Sequence, residues 1–92
     1  MKPVITRTVT IRNKLGLHAR AATKLAKLSH SFDAKVSIIQ GDQKVDASSV
    51  LCLLLLASGQ GRDIDIVAEG KDAAEAVDAI ANLIESRFDE EQ

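Results

Sequence analysis

Ile5, Arg7, Val9 and Ile11 alternate with Val4, Thr6, Thr8 and Thr10. This period of two, rich in β-branched residues, predicts a strand, and Asn13-Lys14-Leu15-Gly16 ends it with a turn signal. The period then changes. From Ala19 to about His30, Ala22, Leu25, Ala26 and Ser29 recur on one helical face, with Arg20, Thr23, Lys24 and Lys27 on the other, so an amphipathic helix is expected. Val36 and Ile38 mark a second strand over residues 35–40, and Gln40-Gly41-Asp42-Gln43 folds it back onto a short third strand, Lys44-Val45-Asp46. Ser48 or Ser49 can cap a short helix from Val50 to Ala57, closed by Gly59. Ile64, Ile66 and Ala68 alternate with Asp63, Asp65 and Val67 in a fourth strand. Asp72 and Glu75 then stand at capping-box spacing before a last helix, which carries Ala76, Val77, Ile80, Leu83 and Ile84 on one face. From about residue 88 the acidic ending, Asp89-Glu90-Glu91-Gln92, reads as a frayed tail.

The order βαββαβα contains two split βαβ units, which predicts an α+β fold with one antiparallel sheet and the helices packed on one face. No linker, repeat or low-complexity stretch divides residues 1–92, so a single domain is expected. The helix Val50-Leu51-Cys52-Leu53-Leu54-Leu55-Leu56-Ala57 is apolar all round. A helix lying on a sheet normally shows a polar outer stripe. Its absence predicts an exposed patch of Val50, Leu51 and Leu54 that docks partner proteins.

Composition narrows the function classes. A net charge of -1 and only two aromatic residues, Phe32 and Phe88, offer neither a basic field for nucleic-acid phosphates nor stacking platforms for bases. One cysteine, Cys52, and two histidines, His18 and His30, cannot assemble a zinc-type ligand set, so no metal or other cofactor is expected. The alternating N-terminus is unlike a signal peptide, and the longest apolar run is too short to cross a bilayer. A cytoplasmic protein without membrane insertion is expected.

Chemistry concentrates at Gly16-Leu17-His18-Ala19-Arg20-Ala21-Ala22, where an imidazole and a guanidinium stand in the first turn of a helix, just after a glycine. The backbone N–H groups of Ala19, Arg20 and Ala21 have no partner within such a helix, and with the helix dipole they suit a phosphate. Imidazole is a nucleophile near neutral pH and also a leaving group, so His18 can carry a phosphoryl group covalently. Arg20 can add charge-assisted hydrogen bonds where charge develops. A hydrolase is the weaker reading, because no serine stands in a nucleophile elbow and no particular Asp is marked out to orient His18. A non-catalytic ferredoxin-like regulatory module would use the same element order, but it gives no role to His18 beside Arg20. His30, near a helix end, suits the negative pole of the dipole.

Lys14-Leu15-Gly16-Leu17-His18-Ala19-Arg20 resembles the active-site motif of the HPr phosphocarriers of the bacterial phosphotransferase system. The resemblance runs over essentially the whole chain. Val45-Asp46-Ala47-Ser48-Ser49-Val50 is similar to the family's segment around a regulatory serine, and Ala57-Ser58-Gly59-Gln60-Gly61 to its loop before the last strand. The resemblance implies an open-faced sandwich of sheet order 1-4-2-3 and a phosphoryl group carried on Nδ1 of His18. It also implies Enzyme I as donor, an EIIA-type protein as acceptor, and a kinase acting on Ser49 in some members. The docking surface it implies joins the His18 helix, with Thr23, Lys24 and Lys27, to Val50, Leu51 and Leu54 on the apolar helix. Arg20, Lys24 and Lys27 would form a basic rim. A carrier that shows one face to successive partners has reason to stay monomeric. Ala21 stands where most HPr proteins have proline, which loosens the helix start without removing a phosphate ligand. Ala21, Phe32-Asp33-Ala34 and Arg87-Phe88-Asp89-Glu90-Glu91 resemble the nitrogen-related NPr branch more than the sugar-transport HPr, which is the alternative.

Overall fold

The computed structural model describes residues 3–56 and 59–89. Its elements follow the predicted order: β1 (Val4–Thr10), α1 (Ala19–His30), β2 (Lys35–Gln40), β3 (Gln43–Asp46), α2 (Val50–Leu56), β4 (Asp63–Glu69) and α3 (Ala73–Glu85). A 3-10 turn, Arg87–Asp89, follows α3. The strands form one antiparallel sheet in the order β1-β4-β2-β3, with the helices over one face. The open-faced sandwich and its strand order are therefore as expected.

Alternation decides which side chains go inward. On β4, Ile64, Ile66 and Ala68 are buried, while Asp63 and Asp65 face the open side, where Thr10 and Thr8 donate hydroxyl bonds of 2.6 Å to them. Across the sheet, Val36 and Ile38 of β2 stand opposite Ala68 and Ile66, so four apolar residues share the covered face. Leu25, Leu53, Val77, Ile80 and Ile84 close over them from the three helices. β1 is an edge strand, and of its residues only Val9 is buried. Arg7, on the inner face beyond the core, instead reaches Asp78 of α3 at 3.1 Å and Glu85 at 4.0 Å.

Three expectations are corrected, and a fourth falls outside the described residues. β3 begins one residue earlier than predicted, at Gln43, because Gly41 in the left-handed region (φ 59°) allows a two-residue turn and Gln43 then pairs with Gln40. Asp72 and Glu75 form no capping box: Asp72 Oδ2 accepts the Asp33 N–H at 2.8 Å and the Asp72 N–H donates back to the Asp33 carbonyl at 3.0 Å. Its carboxylate therefore ties the 31–34 loop to the start of α3. The tail does not begin at Phe88, which is fully buried in the core, and its carbonyl accepts a 2.7 Å bond from Lys24 Nζ. The predicted end of the α2 helix at Ala57 lies outside the described residues.

Candidate functional site

The turn before α1 is held from inside. Asn13 is fully buried, its Nδ2 donates to the Gly16 carbonyl at 2.8 Å, and the Gly16 N–H returns a bond to the Asn13 carbonyl at 3.2 Å. Gly16 adopts φ 63°, a left-handed conformation open to glycine at little cost. Leu17 then plunges into the core, so His18 leaves the turn with its backbone already aimed. The loop 59–62 braces the same region: Gly61 and Ile11 bond through N–H to carbonyl at 2.8 Å, and Gln60 Nε2 donates to the Arg12 carbonyl at 3.1 Å. The sequence motif marked Asn13 as a turn residue only. An amide within hydrogen-bonding reach of a glycine turn beside the histidine was the available signal.

His18 is the N-cap of α1. Its backbone is extended (φ -84°, ψ -179°), its carbonyl accepts the Ala22 N–H at 2.8 Å, and its Nδ1 accepts the Arg20 N–H at 3.2 Å. A backbone N–H can only donate, so Nδ1 presents its lone pair at the helix start and the ring proton belongs on Nε2. The half-buried ring thus sets Nδ1 beside the first-turn N–H groups of Ala19, Arg20 and Ala21. Arg20 is exposed, with its guanidinium in reach of incoming anions, and Ala21 is fully buried against the core. No acidic residue occupies this first turn to compete with a phosphate.

The predicted docking residues divide. Thr23 and Lys27 are exposed on α1, with the Thr23 hydroxyl bonded to the Ala19 carbonyl at 2.7 Å. Lys24 is not a free member of a basic rim, since its ammonium holds the Phe88 carbonyl. On α2, Leu51 is 67% exposed and Leu54 37%, but Val50 is half-buried against the core, and Leu55, which the sequence did not single out, is 71% exposed. The helix turns Leu53 and Leu56 inward, and the face opposite them is a band of leucine. Ser49 is the cap of α2, its Oγ accepting the Cys52 N–H at 3.2 Å. Ser48 bonds instead to Asp46 Oδ1 through its N–H and hydroxyl, and these bonds hold the Asp46 carboxyl below its ordinary range.

A half-buried imidazole capping a helix start, with an arginine two residues on, suits a phosphoryl-carrying protein. The family model "PTS HPr component phosphorylation site" matches residues 5–86. The chain belongs to the HPr family of phosphocarriers of the phosphotransferase system, in its NPr branch. It is 56% identical over 84 residues to phosphocarrier protein NPr of Shewanella violacea, covering 91% of this chain and 92% of that one. It is also 44% identical over 89 residues to NPr of Escherichia coli, covering 95% and 98%. Among solved structures, HPr of Thermoanaerobacter tengcongensis superposes with a TM-score of 0.91 at 36% identity, covering 96% of this chain and 99% of the other.

Proposed function

We propose that His18 accepts a phosphoryl group on Nδ1 from Enzyme I and passes it to an EIIA-type protein, in the nitrogen-related branch and in the cytoplasm. The observation that supports this reading is the Arg20 N–H bonded to His18 Nδ1, since a ring nitrogen that accepts at a helix start carries its lone pair there. In the first step the Arg20 N–H leaves Nδ1 for a phosphoryl oxygen, and the released Nδ1 lone pair forms a bond to phosphorus while the donor's bond to phosphorus breaks and its electron pair leaves with the donor. The second step repeats this with His18 as the leaving group. First-turn N–H groups and Arg20 meet the charge on the phosphoryl oxygens. Ala21 and the NPr names of the two relatives support the nitrogen-related branch. A free, half-buried Cys52 suits a reducing compartment.

Arg20→Ala folds normally and slows phosphoryl transfer by at least about tenfold, less than for an enclosed oxyanion donor because the guanidinium is exposed. A rapid-quench transfer assay from phosphorylated Enzyme I reads this, and an unchanged rate removes Arg20 from the site. Paired assays with nitrogen-type and sugar-type donors at equal salt test the branch: faster transfer from the nitrogen-type donor is expected, and the reverse order overturns the assignment.

The proposed docking surface joins α1, through Thr23 and Lys27, to Leu51 and Leu54 of α2. Leu51→Glu changes folding stability by less than about 0.5 kcal/mol, since this side chain is mostly solvated. It weakens donor binding by more than about 1 kcal/mol, as removal of a central apolar anchor does. Calorimetric titration with Enzyme I beside a urea curve separates the two effects; lost stability with unchanged binding makes Leu51 structural. Phosphorylation of Ser49 by a kinase would place a charge of about -2 next to Val50 and Leu51 and oppose an acidic donor.

A further inference from the structure

Asn13, Ser29 and Ser37 are the buried polar side chains among the described residues, and Asn13 is the largest of them. Ser29 places its hydroxyl on the Leu25 carbonyl of its own helix, as serines inside helices do. A fully buried amide is more costly, and its hydrogen bonds show what it holds. Asn13 Nδ2 donates to the Gly16 carbonyl at 2.8 Å, and the same carbonyl accepts the His18 N–H at 3.0 Å. One oxygen thus joins the buried amide to the backbone of the histidine. The bond from His18 closes a tight turn about Leu17, and so small a ring bends it. The amide is the second donor that keeps this carbonyl in place.

We infer that Asn13 is a positioning residue for phosphoryl transfer: through the Gly16 carbonyl it fixes the His18 backbone, and with it the place of Nδ1 at the start of α1. The inference rests on the proposed function of His18. With the Gly16 carbonyl pinned, the His18 N–H points back into the turn, which sets φ of His18 at -84° and hence the direction of its Cα–Cβ bond. From there Nδ1 meets the Arg20 N–H at 3.2 Å. The same bond keeps the His18 N–H from an incoming anion, so the phosphoryl oxygens meet the N–H groups of α1 itself. Nδ1 lies out beyond Cβ and Cγ. A small backbone rotation therefore becomes a displacement of the reacting atom, of the kind that loses a near-attack geometry. The turn keeps other bonds without the amide, since the Gly16 N–H donates to the Asn13 backbone carbonyl at 3.2 Å and Ile11 is bonded to Gly61 and Arg62 whatever side chain stands at position 13. Positioning is thus separable from folding.

Asn13→Leu keeps the branching of the side chain and Asn13→Ala drops its bulk; both remove the donor. Both fold. At saturating concentration each accepts the phosphoryl group from phosphorylated Enzyme I about tenfold more slowly than the wild type, with a half-saturating concentration within about twofold of it. That split is the mark of a misaligned reacting atom, not of a lost docking contact. Nuclear magnetic resonance of the free chain gives a second reading. In the wild type the Arg20 amide proton resonance titrates with His18, because a protonated Nδ1 cannot accept its N–H. In both variants the amplitude of that titration falls by at least about half, while the amide of Leu25, deep in α1, keeps its resonance. A purely structural asparagine lowers stability and moves neither reading. The Arg20 titration needs no donor protein, so it tests the inference by itself; a wild type that takes no phosphoryl group from Enzyme I fails the proposed function instead. Wild-type saturating rates in both variants, a loss confined to the half-saturating concentration, an Arg20 titration of full amplitude, or failure of both variants to fold overturns the inference.

Discussion

The His18→Ala chain folds and accepts no phosphoryl group. Its loss of stability is about 1 kcal/mol, because the imidazole contributes one N-cap bond to the Arg20 N–H. A domain with an ordinary margin of about 5–15 kcal/mol stays folded after such a loss. The loss of function is complete because no second nucleophile stands in an equivalent place. His30 closes the same 12-residue helix at its other end, where the dipole is negative and repels a phosphate. Mass measurement after incubation with phosphoenolpyruvate and Enzyme I reads the result directly: an acid-labile phosphate appears on the wild type and is absent from His18→Ala. Phosphorylation of the variant at the wild-type rate would remove His18 from the mechanism.

Phe88→Ala costs about 3–5 kcal/mol, the largest stability effect expected outside the central sheet. The ring is fully buried, although it lies beyond the last α-helix in a 3-10 turn. Both Arg87 (φ 60°) and Phe88 (φ 55°) occupy the left-handed region, which costs a non-glycine residue about 1–2 kcal/mol. Burial of the ring and the Lys24 bond to the Phe88 carbonyl hold that conformation. Removing the ring leaves a cavity and frees the strained turn, so Lys24 also loses its acceptor. A urea denaturation curve measures the effect. A change below about 1 kcal/mol would show that the terminal turn is not part of the core.

Legibility in the sequence followed the range of the interactions. β4 and α1 were readable because one physical requirement, burial of a single face, writes itself as a local period of two or of 3.6. The turn at Gly41 and the glycine at position 16 were readable for a related reason, since a left-handed backbone asks for a particular residue type. His18 and Arg20 were legible as chemistry because an imidazole and a guanidinium at a helix start need only local backbone to form an anion site.

What stayed hidden depended on partners distant in the chain. Asp72 has the spacing of a capping residue, and only the approach of the 31–34 loop shows that its carboxylate belongs to Asp33. Lys24 has the position of a docking charge, and only the return of the C-terminus reveals a carbonyl 64 residues away as its acceptor. Phe88 reads as the start of an acidic tail because its burial depends on α3 delivering it to the core. The all-leucine character of α2 predicted a patch but not its direction. Packing against the sheet turned Leu53 and Leu56 inward, pushed Val50 half under cover and left Leu55 beside the edge of β3. By itself the sequence determined the elements, their order and the place of His18 at a helix start, because these rest on local periodicity and local chemistry. Tertiary structure alone decided which charges are already engaged and which apolar side chains remain exposed, because both depend on what the fold brings alongside them.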